Sequence, residues 1–365
     1  MKRLVILTAY GLLIPWCSYA TVWQVPSQCP TVQAGIDSAS AGDTVSVACG
    51  TYHEHDIVLK SGVHLQSDTG DASCVTIDAE WQGRVFVGQN LDIMTVVEGF
   101  TIMGGFHDGG GGVGCFSSTL TLESCMLRSN QAYHGGGMAC LDSYPTLIDC
   151  SFIDNYGDFG PGGLYCSDSP ATLVNCNFID NGEGAMYCSS SSATLVGCVF
   201  SDNWSWDPGG GLTLNRSSSV LTNCTFYANT GVLGGAAIYL ASDNTLLVQN
   251  TIIAFSSHGE AILCRDGSSQ VTLECCDVFG NAGGDWVGCI SGQLGINGNI
   301  SADPHFCDPE NGDLGIQSDS PCAPDHHPSG HPCGLIGARD TGCDSSAANR
   351  TTWGGVKALY RQKTP

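Results

Sequence analysis

Four near-identical stretches of sequence follow one another between Gly135 and Asn229, and this repeat restricts the possible folds more than any other feature. Each copy starts with a glycine cluster, continues through two short runs rich in Val, Ile, Leu and Thr, and ends on a phrase such as CSFIDN. Corresponding cysteines in the four copies are Cys150, Cys176, Cys198 and Cys224. Their steps are 26, 22 and 26 residues (176 − 150, 198 − 176 and 224 − 198), so the repeat length is about 25 residues.

The same frame continues upstream through Cys125 and downstream to Cys276. The runs alternate apolar with small or polar residues, which predicts short strands, and the glycine clusters predict turns. A unit of two or three strands cannot bury its own apolar face, whereas stacked units cover one another. Propeller blades need about 40 residues, and leucine-rich repeats have a different spacing. We therefore expect an all-β fold, a parallel β-helix built as a solenoid.

The two ends of the chain differ from the repeats. Residues 1–20 are typical of a secretory signal peptide cleaved after Ala20, although a retained anchor or a lipid-anchored Cys17 is an alternative. Apolar residues in register after Thr31 predict a short capping helix, and Cys29 and Cys49 on either side of it are plausible disulfide partners. The predicted division is a signal peptide (1–20), an N-terminal cap and first coil (21–75), β-helix repeats (76–306), a Cys-rich C-terminal cap (307–344), and a linker with a possible sorting tail (345–365).

Composition restricts the partners. Lys and Arg number 12 against 35 Asp and Glu, for a net charge of −23. Nucleic acids and anionic membrane surfaces demand basic patches, so neither is an expected partner. We expect a neutral polysaccharide or a surface protein instead, and a mature chain that has no transmembrane span. The expected location is secreted or on the cell surface, associated with the outer membrane.

The N-terminal segment PTVQAGIDSASAGDTVSVACGTY, followed by LKSGVHLQS, resembles that of bacterial β-helix proteins of the pectin-lyase-like superfamily. The GG-[ALM]-x and F-x-x-N words, the latter starting at Phe152, Phe178, Phe200 and Phe226, resemble the repeats of polymorphic outer membrane proteins. Together these resemblances cover residues 30 to about 305. They imply a right-handed coil. They do not imply one function, because this fold carries lyases, hydrolases, epimerases and adhesins.

One column of asparagines ends successive coils. Its members are Asn130, Asn155, Asn181, Asn203, Asn229 and Asn281. We expect a structural ladder in which each amide bonds the next along the axis, at a position that tolerates left-handed backbone geometry. A row of carboxylates precedes it at Asp154, Asp180 and Asp202. Calcium is the one cofactor that this row could bind, and otherwise no cofactor is expected.

Two columns of cysteines run beside the ladder. The first is Cys115, Cys140, Cys166 and Cys188; the second is Cys125, Cys150, Cys176 and Cys198, with Cys276 in a later coil. Inward-facing thiols can act as small apolar filler. Disulfides between stacked neighbours and disulfides between the two columns are both open, and the spacing matches no zinc site. We expect a mixture of buried thiols and disulfides, with the cysteines after Cys276 mostly bridged.

Candidate catalytic residues are few. Asp303 and His305 match a catalytic word of alginate epimerases, but they stand in ADPHF, which resembles a phrase that closes exported β-helix domains. His134 precedes Gly135, which resembles the His-Gly fragment of the polygalacturonase pattern, but the glycine turn of its coil is the preferred explanation of this pair. No catalytic site is therefore assigned, and these three residues are weak candidates.

Two histidine clusters could bind a metal. In His53-Glu54-His55-Asp56 a strand would place both imidazoles on one face, although a solvated edge of the first coil is the preferred interpretation. A second cluster, Asp325, His326, His327 and His331, lies in a Pro-rich segment and has ligand types that suit a transition metal, although a solvated polar loop is the preferred interpretation.

We predict a glycan- or protein-binding, adhesin-like module without an identifiable catalytic site. The alternative is an extracellular polysaccharide lyase, hydrolase or epimerase. Asp, His and Arg converging in a cleft on one sheet face would favour the enzyme.

Overall fold

The structure, a computed structural model, describes residues 20–343. The predicted signal peptide up to residue 19 and the predicted tail of residues 345–365 lie outside the described residues. The described chain is a solenoid of about ten coils in which three parallel sheets, here called A, B and C, line the sides. The expected all-β parallel β-helix is confirmed.

Most coils contribute one strand to each sheet. Sheet A contains Val22–Val25, Thr44–Val47, His64–Ser67, Thr95–Glu98, Thr119–Glu123, Tyr144–Ile148, Ala171–Val174, Ala193–Val196, Ser218–Thr222, Thr245–Gln249 and Gln270–Glu274. Sheet B contains Gly50–Tyr52, Val75–Asp78, Phe100–Met103, Met126–Arg128, Ser151–Ile153, Asn177–Ile179, Val199–Ser201, Thr225–Tyr227, Ile252–Ala254 and Asp277–Phe279. Sheet C contains Ile57–Val58, Phe86–Gln89, Val113–Phe116, Met138–Leu141, Leu164–Ser167, Met186–Ser189, Leu212–Asn215, Ile238–Leu240 and Ile262–Cys264.

Short strands cover the corner between sheets B and C. They are Phe106–Gly109, Gln131–His134 and Tyr156–Gly157 in one small parallel sheet, and Trp204–Ser205 and Thr230–Gly231 in another. An antiparallel pair, Phe306–Asp308 and Asp313–Ile316, follows the last coil. The described helices are the α-helix Val32–Ser38 and the 3₁₀ turns Gly288–Ile290 and Pro309–Asn311.

Identical residues stack from coil to coil. Cys115, Cys140, Cys166 and Cys188 are successive register partners in sheet C. In sheet B the stacked residues are Phe152, Phe178, Phe200 and Phe226, whose rings lie nearly parallel with centroids 4.6 to 4.8 Å apart. All four rings are fully buried. Each contributes on the order of 2 kcal/mol of hydrophobic free energy, so this column is a main source of the cohesion between coils.

The chain turns each corner with one residue in left-handed geometry. In one coil these residues are Asp142, Asp149 and Asp154, with φ between 50° and 53°. Asp and Asn tolerate this conformation better than most non-glycine residues, which explains why they recur at these positions.

The N-terminal cap forms as expected. The side chain of Thr31 accepts a hydrogen bond from the backbone N–H of Ala34 at 3.1 Å and starts the helix Val32–Ser38. The carboxylate of Glu54 accepts the amides of Val32 and Gln33 at 2.8 and 3.1 Å. Val32 and Ile36 are buried over the first coil, so the helix covers the otherwise exposed end of the stack.

The Cys-rich segment after the last coil folds back over the outer face of sheet B. There Ile336, Phe306 and Ile316 pack against Val199 and Ile252 and form a second hydrophobic core on the outside of the solenoid. The segment therefore covers a side of the solenoid, in addition to following its last coil.

Four disulfides join Cys49 to Cys74, Cys264 to Cys289, Cys275 to Cys333 and Cys307 to Cys343. The expected pairing of Cys29 with Cys49 is wrong. Cys29 is buried beside the Ser38 hydroxyl group at 3.8 Å, while Cys49 meets its neighbour one coil later. Twelve cysteines of residues 20–343 are free, and all twelve are buried.

Candidate functional site

The asparagine column forms a continuous hydrogen-bonded row in the interior. The side-chain amides of Asn130, Asn155, Asn181 and Asn203 each donate to the side-chain oxygen of the next asparagine at 2.9 to 3.1 Å, up to Asn229. In the following coil Ser256 occupies this position, and its backbone N–H donates to Asn281. The expectation of left-handed geometry at the asparagines needs correction.

The left-handed residue is the one before each asparagine. Asp154, Asp180 and Asp202 have φ of 53°, 54° and 57°. The turn is made there because the asparagine must keep its side chain inside, where it bonds the next coil. Asp154 accepts a hydrogen bond from the Ser129 hydroxyl at 3.2 Å. Calcium binding by this row stays a prediction.

Asp303 and His305 form a local turn. The Asp303 carboxylate accepts the backbone N–H of His305 at 3.0 Å, and His305 has a φ of 51°. The imidazole is exposed and lies 3.9 Å from Asp319. The carboxylate thus serves the backbone of its own turn.

His134 lies at the end of a strand in the small corner sheet, in a different part of the solenoid. Its ring stacks on Tyr165 with centroids 5.1 Å apart, and its Nδ1 is buried without a hydrogen-bond partner among the described atoms. Burial lowers the pKa of His134, so the neutral imidazole is favoured at pH 7. The structure does not bring His134 together with Asp303 or His305.

The first histidine cluster does not form a strand, since the nearest strand ends at Tyr52. His53 lies 3.2 Å from Glu80 and His55 lies 3.0 Å from Asp56, so the two imidazoles have separate partners.

In the second histidine cluster, His331 lies beside the disulfide between Cys275 and Cys333. Cys275, His331 and Cys333 have possible ligand atoms within 4.8 Å of one another. The two sulfur atoms are bonded to each other, however, so neither offers a thiolate to a metal.

A groove on the outer face of sheet B brings Asp and Arg close together, without histidine among its lining residues. Its volume is about 850 Å³, and its charged lining residues are Asp71, Asp149, Arg339 and Asp340. The arrangement that would favour an enzyme is therefore incomplete.

A different opening arises from the one short step of the repeat. The distance from Asn181 to Cys188 is 7 residues, four fewer than the 11 from Asn155 to Cys166 (188 − 181 against 166 − 155). Where the neighbouring coils form corner strands, the short coil has only isolated bridges at Gly182. Because this coil is four residues shorter, a notch opens between the longer loops of the coils on either side.

The notch is a cavity of about 230 Å³. Phe159, Gly160 and Pro161 line it from the preceding coil. From the following coil the lining residues are Ser205, Asp207, Pro208 and Gly209. Its polar lining residues include Glu183, Tyr187, Asp207 and Tyr239. None of the described lining residues is Lys or Arg.

Exposed aromatic rings lie on the coils before and after the notch, and the ring of Phe159 belongs to a residue that lines it. This set, called the aromatic strip, is Tyr133, Tyr156, Phe159, Trp204 and Trp206, whose exposed fractions are 45%, 38%, 77%, 36% and 66%. Ring centroids lie 5.4 Å apart for Tyr133 and Phe159, and 6.1 Å apart for Trp204 and Trp206. Large apolar rings that are exposed in groups indicate a binding surface, and here they form two groups, Tyr133 with Phe159 and Tyr156 with Trp204 and Trp206.

Gly182 allows the strip to continue across the short coil. Tyr156 and Trp204 lie on either side of it, with ring centroids 6.2 Å apart. A Cβ at Gly182 would approach Tyr156 Cδ2 to 2.6 Å and Trp204 Cζ2 to 3.2 Å. Any larger residue would push the two rings apart.

Glu183 is the central polar group of the notch. One oxygen accepts the backbone N–H of Trp206 at 3.4 Å and the Ser205 hydroxyl at 3.5 Å. Burial raises the pKa of Glu183, and the hydrogen bond from Trp206 opposes that change. The carboxylate therefore helps to position the loop that carries Trp206, and it can also accept hydrogen bonds from a ligand.

The sequence-based prediction missed the aromatic strip. A usable signal was present, because an aromatic residue follows the ladder asparagine in the copies on either side of the short one, as Asn155-Tyr156 and Asn203-Trp204. The 22-residue step gave a second signal for the notch.

Comparison with known proteins identifies the solenoid. Residues 141–301 match the family described as "Right handed beta helix region". A search of curated proteins finds no match to the sequence. In addition, no helix within residues 20–343 combines the length and apolar character needed to cross a membrane.

Three solved structures are similar to the chain. Pectate lyase Pel9A has 11% sequence identity and a TM-score of 0.48, with 89% of this chain and 97% of that chain covered. Pectin methylesterase from Aspergillus niger has 13% identity and a TM-score of 0.39, with 72% and 85% covered. Pectin methylesterase from carrot has 11% identity and a TM-score of 0.41, with 88% and 95% covered.

Residues 141–301 are thus a right-handed β-helix region, and the in-register parallel strands before and after them extend the same solenoid along the described chain.

Proposed function

We propose that this protein binds a neutral polysaccharide in the notch of the short coil, with the aromatic strip stacking on the sugar rings. The observation that carries the proposal is the exposure of five aromatic side chains on the coils before and after the short coil, with Phe159 among the residues that line its cavity. Apolar ring faces beside a few hydrogen-bonding groups are the combination that sugar rings require, because a sugar presents C–H groups on its faces and hydroxyls on its edge.

The charge of the notch favours an uncharged ligand. Glu183 and Asp207 line it, and no described lining residue carries a positive charge. A uronate polymer would place its carboxylates against these side chains without a compensating cation, and the overall charge of −23 adds to the repulsion. Hydroxyl groups of a neutral sugar can instead donate to the two carboxylates.

The four disulfides support a role outside the cytoplasm, because disulfides persist in oxidising compartments. They join Cys49, Cys264, Cys275 and Cys307 to later coils or to the C-terminal segment, before and after the coils that carry the notch. In the coils of the notch the asparagine row joins each coil to the next, and an aromatic strip that is ordered before binding lowers the entropy cost of binding.

The test is affinity electrophoresis of the full chain in gels that contain β-glucan, xylan, galactomannan or polygalacturonate. We expect retardation in at least one neutral gel and none in polygalacturonate. Replacing Trp206 or Phe159 with alanine should weaken binding about tenfold, the value of roughly 1.4 kcal/mol for a lost stacking contact. Tyr144→Ala is the matched control, because Tyr144 is 63% exposed on sheet A, away from the notch.

The outcomes separate the possibilities. Equal retardation of the Trp206→Ala and Tyr144→Ala variants would contradict the notch as the binding site. Retardation in polygalacturonate alone would contradict the neutral ligand. Release of reducing ends from any of the four polymers would show an enzyme, and the proposal of a binding module would then be wrong.

A further inference from the structure

One corner of the solenoid presents a straight column of left-handed residues. The corner joins sheet A to sheet B, and the residues, here called the corner column, are Ser124, Asp149, Asn175, Gly197, Asn223, Asn250 and Cys275, all with φ between 49° and 67°. Because left-handed geometry recurs at the same point of each coil, the side chains of this column project in one row along the axis.

The C-terminal segment already uses part of this column. Residues 333–340, here called the strap, run along it from the disulfide at Cys275. The Asn250 amide donates to the carbonyl of Leu335 at 3.2 Å and also to that of Cys333. The Asn223 amide donates to the Leu335 carbonyl at 2.8 Å. Corner-column amides therefore bind the backbone of an extended chain.

The strap also donates to the solenoid and packs against it. The backbone N–H of Gly337 donates to the Asn250 carbonyl at 2.8 Å, and that of Ala338 donates to the Thr225 hydroxyl at 2.9 Å. Gly337 has a φ of 107°, and a Cβ there would lie 2.8 Å from Ile252. The contact is thus a built, close-fitting interface between an extended segment and the corner.

The strap leaves the column after Arg339. The Arg339 guanidinium donates to Asn177 in sheet B, and the chain then turns back, since Thr341 pairs with Ile316 and Cys343 is bonded to Cys307. The column continues without the strap along Asn175, Asp149 and Ser124, and this stretch lines the groove of about 850 Å³.

The groove repeats the chemistry of the strap site and adds negative charge. Asn175 continues the row of amides, Met126 and Ser151 form the floor on sheet B, and the loop of residues 69–72 closes the far end. Asp71, Asp149 and Asp340 line the groove together with one half-buried cation, Arg339. Hydrogen bonds hold Asp71 in its charged form, because the Ser73 amide lowers the pKa of that carboxyl.

We infer that this groove binds an extended segment of a partner protein that carries a Lys or Arg side chain, and that it continues the track on which the strap lies. The Asn175 amide donates to a backbone carbonyl of the segment, as Asn223 does for the strap. The basic side chain reaches the carboxylate of Asp149. This interaction surface is separate from the notch and does not depend on polysaccharide binding.

The probe is the strap sequence itself as a fluorescein-labelled peptide, acetyl-GLIGAR-amide, with acetyl-GLIGAE-amide as its partner of opposite charge. Fluorescence anisotropy with the full chain should show binding of the Arg peptide at least about tenfold tighter than that of the Glu peptide. Asp149→Asn should weaken binding of the Arg peptide by about tenfold, since it removes the charge and keeps the left-handed turn. Asp142→Asn is the matched control, because Asp142 is an exposed left-handed residue of the same coil at another corner.

Four results would overturn the inference. The first is absence of binding by either peptide to the full chain. The second is equal binding to the Asp149→Asn and Asp142→Asn variants. The third is binding that Asn223→Ala abolishes and Asp149→Asn does not, which would mean exchange with the strap. The fourth is peptide binding only after the chain is shortened to Cys343, which would assign the groove to residues 344–365 of the chain itself.

Discussion

Asn181 shows how one side chain can hold three coils together. Its amide donates to the Phe152 carbonyl at 2.9 Å in the preceding coil and to Asn203 at 3.0 Å in the next. Its oxygen accepts two hydrogen bonds from Asn155, each at 3.1 Å. The residue is fully buried, so water cannot replace any of these partners.

Replacing Asn181 with alanine should therefore lower the free energy of unfolding by on the order of 4 kcal/mol, because several buried groups lose their partners at once. Urea unfolding followed by circular dichroism measures the change. Asn215→Ala is the control: Asn215 is half-buried at the end of a sheet C strand, and its loss should cost about 0.5 kcal/mol or less. A loss of similar size in both variants would contradict the importance of the ladder.

At this scale the sequence predicted the column, but not which residue takes the left-handed turn. The recurring word Asp-Asn offers two candidates for each turn, and both residue types tolerate left-handed geometry. The structure places the asparagine inside and the aspartate in the left-handed turn, because only the asparagine amide can both donate hydrogen bonds to neighbouring coils and accept them.

The segment that follows the last coil docks on a buried acid, Asp277. Asp277, in the last strand of sheet B, is fully buried. Its carboxyl accepts the backbone N–H of Ala302 at 3.0 Å and the Cys322 thiol at 3.2 Å. Burial raises the pKa of Asp277 to about 7, and the carboxylates of Asp285 and Asp303 add to the increase.

The sign of the pH dependence follows from the direction of this shift. The folded protein holds the Asp277 proton up to about pH 7, whereas the unfolded chain releases it near the ordinary value of about 4. Stability therefore falls as pH rises from about 4 to about 7 and is then constant for this group. Over that range the loss is on the order of 4 kcal/mol.

The variant Asp277→Asn should remove this contribution. We expect the free energy of unfolding of the native protein, minus that of the variant, to fall between pH 5 and pH 8 and to have its lowest value at pH 8. Hydrogen exchange of residues 302–322 should report the same trend locally, because these residues dock on Asp277. Parallel pH profiles for the two proteins would show that Asp277 is not the titrating group.

Elements without a repeat were the hardest to predict. The helix after Thr31 follows from its apolar spacing and its cap, and it forms. The disulfide between Cys29 and Cys49 does not form. Two cysteines on either side of a helix are close in sequence, but they need not be close in space once the chain is wound into coils. The fold-back of the C-terminal segment had no periodic signal, since its contacts with Val199 and Ile252 join residues more than 50 positions apart in sequence.

At the scale of the whole molecule, one irregularity in the repeat creates the candidate site. Twenty-six-residue coils on either side place corner strands and aromatic residues next to one another, and the 22-residue coil between them opens the notch. The solenoid could be predicted because its repeat is periodic. The notch was not predicted, because the short coil differs from its neighbours by lacking four residues and contains no distinctive motif of its own.

The central claim is that the short coil makes the binding site, and restoring the missing residues tests it most directly. Inserting Ser-Gly-Pro-Ser between Glu183 and Gly184 lengthens the coil by four residues and fills the notch, while Gly182, Glu183 and the five aromatic side chains remain. Isothermal titration calorimetry with the neutral polysaccharide selected by electrophoresis, on folded native and lengthened proteins, gives the answer. We predict that the native protein binds and that the lengthened protein, with an unchanged urea midpoint, binds at least about tenfold more weakly. Equal affinity of the two proteins would contradict the account.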